Sequence, residues 1–331
     1  MNKIFLTALL IINLGLIFTS NAQLARTGVN EYTPSLDIDG EPINAHGGGA
    51  LFFKGVYYLF GEIKKGKTWL VPGMNWEDYR VPAGGVSCYS STDLKHWKNL
   101  GTVLKPTTNA PDYDLDTGRV IERPKVIYNE KTKKFVMWMH IDKNDYQYSR
   151  GGVAVSDVPW GPYRYLGSVK PNGQMLRDMN LFKDTDGKAY LIYSSEDNFT
   201  MHICLLSDDY LKPTQKYSRI LIKRKRESPA VFEHKGKYFL ITSACSGWSP
   251  NAASYAIADH ILGPWSERGN PCKGKNADKT FFLQGGFVIP VNNKPGEFIF
   301  MGDRWNKMDL EKSDYLWLPI HLNGSKMRIY N

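Results

Sequence analysis

Three acidic side chains recur at the same point of repeated apolar segments. Glu122 opens Glu122-Arg123-Pro124-Lys125, Asp178 opens Asp178-Met179-Asn180, and Glu227 opens Glu227-Ser228-Pro229-Ala230. Cleavage of a glycosidic bond commonly needs this equipment: a protonated carboxylic acid on the leaving oxygen, and a second group acting on the other face of the sugar. The acid must keep its proton near neutral pH, so burial or a neighbouring carboxylate has to raise its pKa. Glu227 suits that role because an apolar run follows it directly, and Asp178 suits a like-charged partner that orients it. For any single carboxylate, a strand-end residue capping a turn or pairing with Arg is the commoner explanation. Three at repeated positions, with Gln284 at a fourth, favour a shared pocket.

Such side chains converge only if the segments that carry them are arranged around an axis. Five hairpins share one grammar: a small-residue apolar strand, a polar turn, then an aromatic-rich strand. They run over 49–61, 124–139, 180–193, 229–242 and 286–301. Their turns hold Lys-Gly, Asn-Glu, Asp-Gly or Pro-Gly, and their second strands are rich in Tyr, Phe, Ile and Val. A third strand follows most of them, as in Val86–Trp97, Gly152–Tyr163, His202–Ser207, Ala253–Trp265 and Tyr315–Ile320. The corners Trp160-Gly161-Pro162-Tyr163 and Leu262-Gly263-Pro264-Trp265 are near-copies. A period of roughly 50 to 60 residues without long amphipathic helices predicts an all-β, five-bladed β-propeller. In that fold the inner strands place His46, Glu122-Arg123, Arg177-Asp178, Glu227 and Gln284 around one mouth.

The first 22 residues read as a signal peptide: Lys3, an apolar run from Ile4 to Phe18, and the small-residue exit Thr19-Ser20-Asn21-Ala22. That predicts an exported, periplasmic or secreted protein whose single domain covers 23–331, with no membrane span. The net charge of +9 is scattered apart from Lys223-Arg224-Lys225-Arg226. This run is expected to lie outside the pocket on a solvated loop, contact with an anionic substrate being the lesser alternative, and nucleic acid is not an expected partner. Cys88, Cys204, Cys245 and Cys272 follow no metal or disulfide spacing, so no essential disulfide is expected. The seven His residues show no His-Glu-x-x-His pattern. Asp184-Thr185-Asp186-Gly187 reads as a hairpin turn rather than a calcium loop, so no cofactor is called for and a structural calcium is not indicated. His46-Gly47-Gly48-Gly49 suits a strand start needing close backbone approach better than an oxyanion loop, since no Gly-x-Ser-x-Gly elbow exists. Trp138, Trp248, Trp305 and Tyr146 are candidates for stacking on a sugar ring, each with a plausible core role as well.

With these motifs in place, the chain resembles glycoside hydrolase family 43, in its exo-β-1,3-galactanase and β-galactosidase branches. The resemblance is carried by Ile43–Gly49, Tyr58–Glu62, Glu122–Asn129, Val136–Asp142, Arg177-Asp178, Glu227 with Pro229, Ser246–Asn251 and Met301–Trp305. It implies a five-bladed propeller that hydrolyses with inversion, Glu227 being the general acid and Asp178 its pKa-modulating partner. It further implies that Glu62, Glu122, Arg123 and Tyr146 hold the terminal galactose, with His46, Trp248 and Arg304 as further substrate-binding candidates. Most family members carry a catalytic-base Asp early in the first blade, where this chain reads Asn44-Ala45-His46. In the galactanase-like branch a glutamine acting as an imidic acid, aided by a glutamate, is proposed instead, and Gln284 and Glu122 match those roles. Cys245 stands where related galactanases tend to have a hydroxyl residue. The expectation is a monomeric, inverting, exo-acting hydrolase of β-1,3-linked galactan that binds oligo- or polysaccharide. The expected galactan is that of arabinogalactan-type glycans; the alternatives are an α-L-arabinofuranosidase on arabinogalactan side chains and a catalytically inactive carbohydrate-binding propeller.

Overall fold

A computed structural model describes residues 32–331, so the predicted signal peptide lies outside the described residues. Five four-stranded antiparallel sheets follow one another along the chain, each a simple meander. Their inner strands are His46–Phe53, Val120–Asn129, Met179–Lys183, Arg226–His234 and Gln284–Pro290. Each packs against the inner strands on either side, the fifth against the first, which closes the ring of a five-bladed propeller. Among the described residues no helix is long and apolar enough to cross a membrane.

The hairpins form where the sequence supplies left-handed turn residues. Lys54 and Gly55 (φ 49° and 85°) and Lys235 and Gly236 (φ 51° and 75°) make the double left-handed turns that match strand twist. Asp184–Gly187 is likewise a turn, the Gly187 N–H donating to the Asp184 carbonyl at 3.0 Å. The near-copied corners both carry a cis Gly-Pro bond.

The apolar core lies between blades. Phe60, Met137, Met139 and Ile141 fill the space between the first and second blades, and Phe232, Phe239, Phe298 and Phe300 that between the fourth and fifth. Trp138 belongs to this core: it is fully buried and donates from Nε1 to the Tyr210 carbonyl at 2.8 Å. Of the two roles open to Trp138, sugar stacking or core packing, it takes the second. Outer strands such as Ser266–Gly269 are exposed throughout. The ring is tied shut by Thr33, whose hydroxyl accepts from the Trp317 N–H at 2.9 Å, and by Ala45, whose N–H donates to the Tyr315 hydroxyl at 2.8 Å.

Candidate active site

Four of the five inner strands break register near their start. His46 pairs with Glu62 but Gly49 with Phe60, Glu122 with His140 but Lys125 with Trp138, and Glu227 with Ser243 but Ala230 with Ile241. Each step of three against two is a β-bulge, which bends a strand and re-aims its side chains. The residue after each site position is left-handed: Gly47 at φ 54°, Arg123 at 55° and Ser228 at 52°. Pro124 and Pro229 sit within the bulges, where a missing N–H costs no ladder bond. The fifth blade shifts between Gly285 and Phe287, while no shift interrupts the third. At Gly48 an added Cβ would lie 2.0 Å from the Phe60 carbonyl oxygen, so this stretch does serve close backbone approach.

Turned inward this way, side chains from four blades form one chain of hydrogen bonds. Arg123 donates from Nε to Asp178 Oδ1 at 2.9 Å and from Nη2 to Gln284 Oε1 at 2.6 Å. Gln284 Oε1 also accepts from Trp305 Nε1 at 2.9 Å, and its Nε2 donates to Glu227 Oε1 at 3.0 Å and to Ser243 Oγ at 3.3 Å. Burial drives the Glu227 carboxyl up to about 8, the Asp178 charge adds to the rise, and Arg123 opposes it. The Cys245 thiol hydrogen-bonds Glu227 and is itself pushed up by burial.

A second cluster surrounds Glu122. The Tyr146 hydroxyl lies 3.1 Å from both carboxylate oxygens, Arg80 Nη1 donates to Oε1 at 3.3 Å, and His140 Nδ1 stands 3.4 Å from Oε2. Burial works against its charge, yet the nearby His140 and the charges of Arg80 and Lys64 outweigh burial and hold Glu122 well below the usual carboxylate range. Glu62 pairs with Lys64 Nζ at 2.8 Å, and burial raises its pKa despite that cation.

Both clusters line a pocket of about 530 Å³ at one mouth of the propeller. It gathers Glu62, Glu122, Arg123, Tyr146, Asp178, Glu227, Trp248 and Gln284 as the sequence predicts, together with Trp305. Two candidates stand elsewhere. His46 lies behind the wall, buried, 3.0 Å from Asp303 and stacked on Tyr315, because its left-handed neighbour Gly47 turns the strand there. Arg304 points outward into a two-pronged pair with Asp314, both distances 2.7 Å, and lines only a smaller side cavity of about 210 Å³. Lys225 is a correction in the other direction. The basic run was expected outside, but Lys225 lines the pocket with its ammonium 4.6 Å from the Phe199 ring centre.

Sequence reasoning missed Arg80, His140, Asn198 and Trp76. His140 and Asp142 carried a signal, two polar residues on one face of an apolar strand. Arg80 lies on, and Trp76 beside, a two-stranded insertion, Trp69–Leu70 with Tyr79–Arg80, that recurs in no other blade among the described residues; Trp76 lines the pocket and Arg80 reaches Glu122. All four cysteines are free.

One mouth thus holds a carboxyl that keeps its proton to about pH 8 and a carboxylate that stays charged, which is equipment for paired acid and base work. Comparison with known proteins agrees with that chemistry. The solved structures most like this one include a GH43 β-1,3-galactosidase with galactodeoxynojirimycin, at 40% identity and TM-score 0.82 over 92% of this chain and 98% of that one. The exo-β-1,3-galactanase of Phanerochaete chrysosporium with galactose is 34% identical at TM-score 0.81, over 91% of this chain and 66% of that one. That of Clostridium thermocellum is 34% identical at TM-score 0.78, over 91% and 64%. No curated protein sequence matches. Residues 63–287 match the family described as glycosyl hydrolases family 43, and with these relatives the match shows that the chain belongs to that family and is a glycoside hydrolase.

Proposed function

We propose that the protein is an exported, inverting, exo-acting β-1,3-galactosidase that releases galactose from β-1,3-galactan. The observation that carries this reading is the opposed state of two carboxyl groups in one pocket, Glu227 raised to about 8 and Glu122 held charged. The solved relatives are named for β-1,3-galactosidase and exo-β-1,3-galactanase action, which supports the choice of sugar and linkage. Export rests on Lys3 and the apolar run Ile4–Phe18.

In this reading Glu227 gives its proton to the departing glycosidic oxygen. Asp178 keeps that proton available through its like charge, and fixes Arg123 by accepting its Nε–H. Water attacks the anomeric carbon from the opposite face, and Glu122 takes the proton that water loses. Gln284 is held as an amide: its oxygen already accepts from Arg123 and Trp305, and its nitrogen donates twice. An imidic acid would need a proton on that crowded oxygen. It also sits against Glu227, whereas the two groups of an inverting pair stand about 6.5–9.5 Å apart. Both points favour Glu122 as the proton acceptor, with Gln284 positioning the sugar and the acid. Exo action is supported by the solved relatives named as exo-β-1,3-galactanases.

The test is proton NMR during hydrolysis of β-1,3-galactotriose, with arabinofuranosides run in parallel. The reading expects galactose from one chain end, appearing first as the α-anomer. The β-anomer appearing first would refute inversion, and arabinose release without galactose would refute the sugar assignment.

A further inference from the structure

We propose that His140, anchored by Asp142, is a positioning residue that keeps Glu122 charged and aimed into the pocket. The proposal rests on the reading of Glu122 as the proton acceptor.

Both partners are fully buried on the second strand of blade two, Lys134–Asp142. His140 Nε2 lies 2.9 Å from Asp142 Oδ2, and Nδ1 lies 3.4 Å from Glu122 Oε2. Nδ1 makes no aligned hydrogen bond, yet a neutral ring would turn a lone pair toward one of the two carboxylates, so the setting calls for both ring protons. Asp142 is committed as an acceptor. Its Oδ1 receives the N–H groups of Lys143, Tyr148 and Ser149, each at 2.9 Å, and its Oδ2 the Ser149 hydroxyl at 2.8 Å. The shared proton therefore stays on the ring.

The same bonds pin the loop from Lys143 to Ser149, and that loop delivers Tyr146 to Glu122 at 3.1 Å. Asp142 thus reaches Glu122 by two routes, one through the imidazolium and one through the loop. The remaining charged groups around Glu122 are Arg80 at 3.3 Å, Lys64 at 4.0 Å, Glu62 and Asp78. With His140 charged, four cations face four acids: Lys64, Arg80, His140 and, beside Glu62, Arg123 against Glu62, Asp78, Glu122 and Asp142. Without it three cations remain for four acids, and a proton must enter the cluster at a higher pH. Burial pushes Asp78 up to about 6, so it titrates in wild type and variant alike, and the comparison has to be the ratio between them.

The experiment compares kcat/KM of wild type and His140→Gln on β-1,3-galactobiose between about pH 5 and about pH 8. Losing that cation is expected to bring the Glu122 pKa up into the acid end of this window, so the variant's deficit should grow there by about tenfold per pH unit. Parallel profiles would overturn the proposal. Tyr146→Phe, which removes a neutral hydroxyl, is expected to lower activity evenly across the range; an acid-end deficit as large as that of His140→Gln would remove the special role of the imidazolium. Should His140→Gln not fold, neutron diffraction of the wild type at about pH 7.5 decides. Deuterium on both ring nitrogens supports the proposal and a bare nitrogen overturns it. Failure of the underlying reading has a different signature, full turnover by Glu122→Gln, which leaves the neutron result untouched.

Discussion

Gln284 and Glu227 are joined directly, the amide Nε2 of one donating to Oε1 of the other across 3.0 Å. Because Gln284 Oε1 accepts from two groups that can only donate, Arg123 and Trp305, the orientation of this amide is fixed by its neighbours. The Glu227 proton therefore belongs on Oε2, where Asn198 Nδ2 stands 3.3 Å away. Asn198 Oδ1 has no partner, and turning that amide over would present it as an acceptor for the carboxyl proton.

The raised Glu227 sets the alkaline limb of activity. On an unactivated disaccharide, kcat/KM should fall about tenfold per pH unit above about 8 as the proton is lost. An aryl galactoside with a good leaving group, needing less protonation, should fall more shallowly. Stability follows the same group. Between the ordinary carboxylate range and about 8 the folded chain holds a proton that the unfolded chain releases, so this contribution falls as pH rises through that window. Glu227→Gln should therefore raise Tm relative to wild type by more at about pH 8 than at about pH 5, read by thermal unfolding at both.

Asp178 acts on Glu227 by charge and on Arg123 by a 2.9 Å bond. Asp178→Asn removes the like charge while keeping an acceptor for Arg123. The alkaline limb should move to lower pH, with activity reduced at every pH. An unmoved limb would show that burial alone raises Glu227.

Trp305 enters the network through one bond, Nε1–H to Gln284 Oε1 at 2.9 Å. Trp305→Phe keeps an aromatic wall and deletes that donor. Loss of one hydrogen bond of about 0.5–1.5 kcal/mol predicts a fall of roughly two- to tenfold in kcat/KM, measurable by steady-state kinetics.

Gly47 occupies a left-handed position in the first bulge, and an added Cβ would meet Glu62 Oε1 at 2.7 Å. Gly47→Ala should cost about 1–3 kcal/mol of stability and weaken galactose binding by displacing Glu62. Thermal unfolding and calorimetric titration with galactose check the two effects separately.

The propeller was legible because each blade repeats the same turn chemistry and strand alternation, local signals that a chain displays in order. The pocket members at strand starts, Glu122, Arg123, Asp178, Glu227 and Gln284, were legible for the same reason. Arg80 was not, because it arrives on an insertion unique to the first blade. His46 and Arg304 show the opposite error. Both lie at strand ends on the pocket side, but bulge geometry turns one behind the wall and a surface carboxylate, Asp314, draws the other outward. Lys225 was assigned to solvent from its charged neighbours, whereas its backbone is left-handed, φ 49°, and its side chain lines the pocket. A one-residue bulge reverses which side of a strand a residue faces, and period-2 reasoning cannot see it.

The central claim is that Glu227 protonates the leaving sugar. The most direct measurement is galactose release from β-1,3-galactobiose by Glu227→Gln beside wild type at about pH 6, where the wild-type acid is protonated. The account predicts a loss of about 10²–10⁴-fold with the unactivated substrate, and a much smaller loss with an aryl galactoside whose leaving group needs no proton. Hydrolysis of galactobiose at the wild-type rate would contradict it.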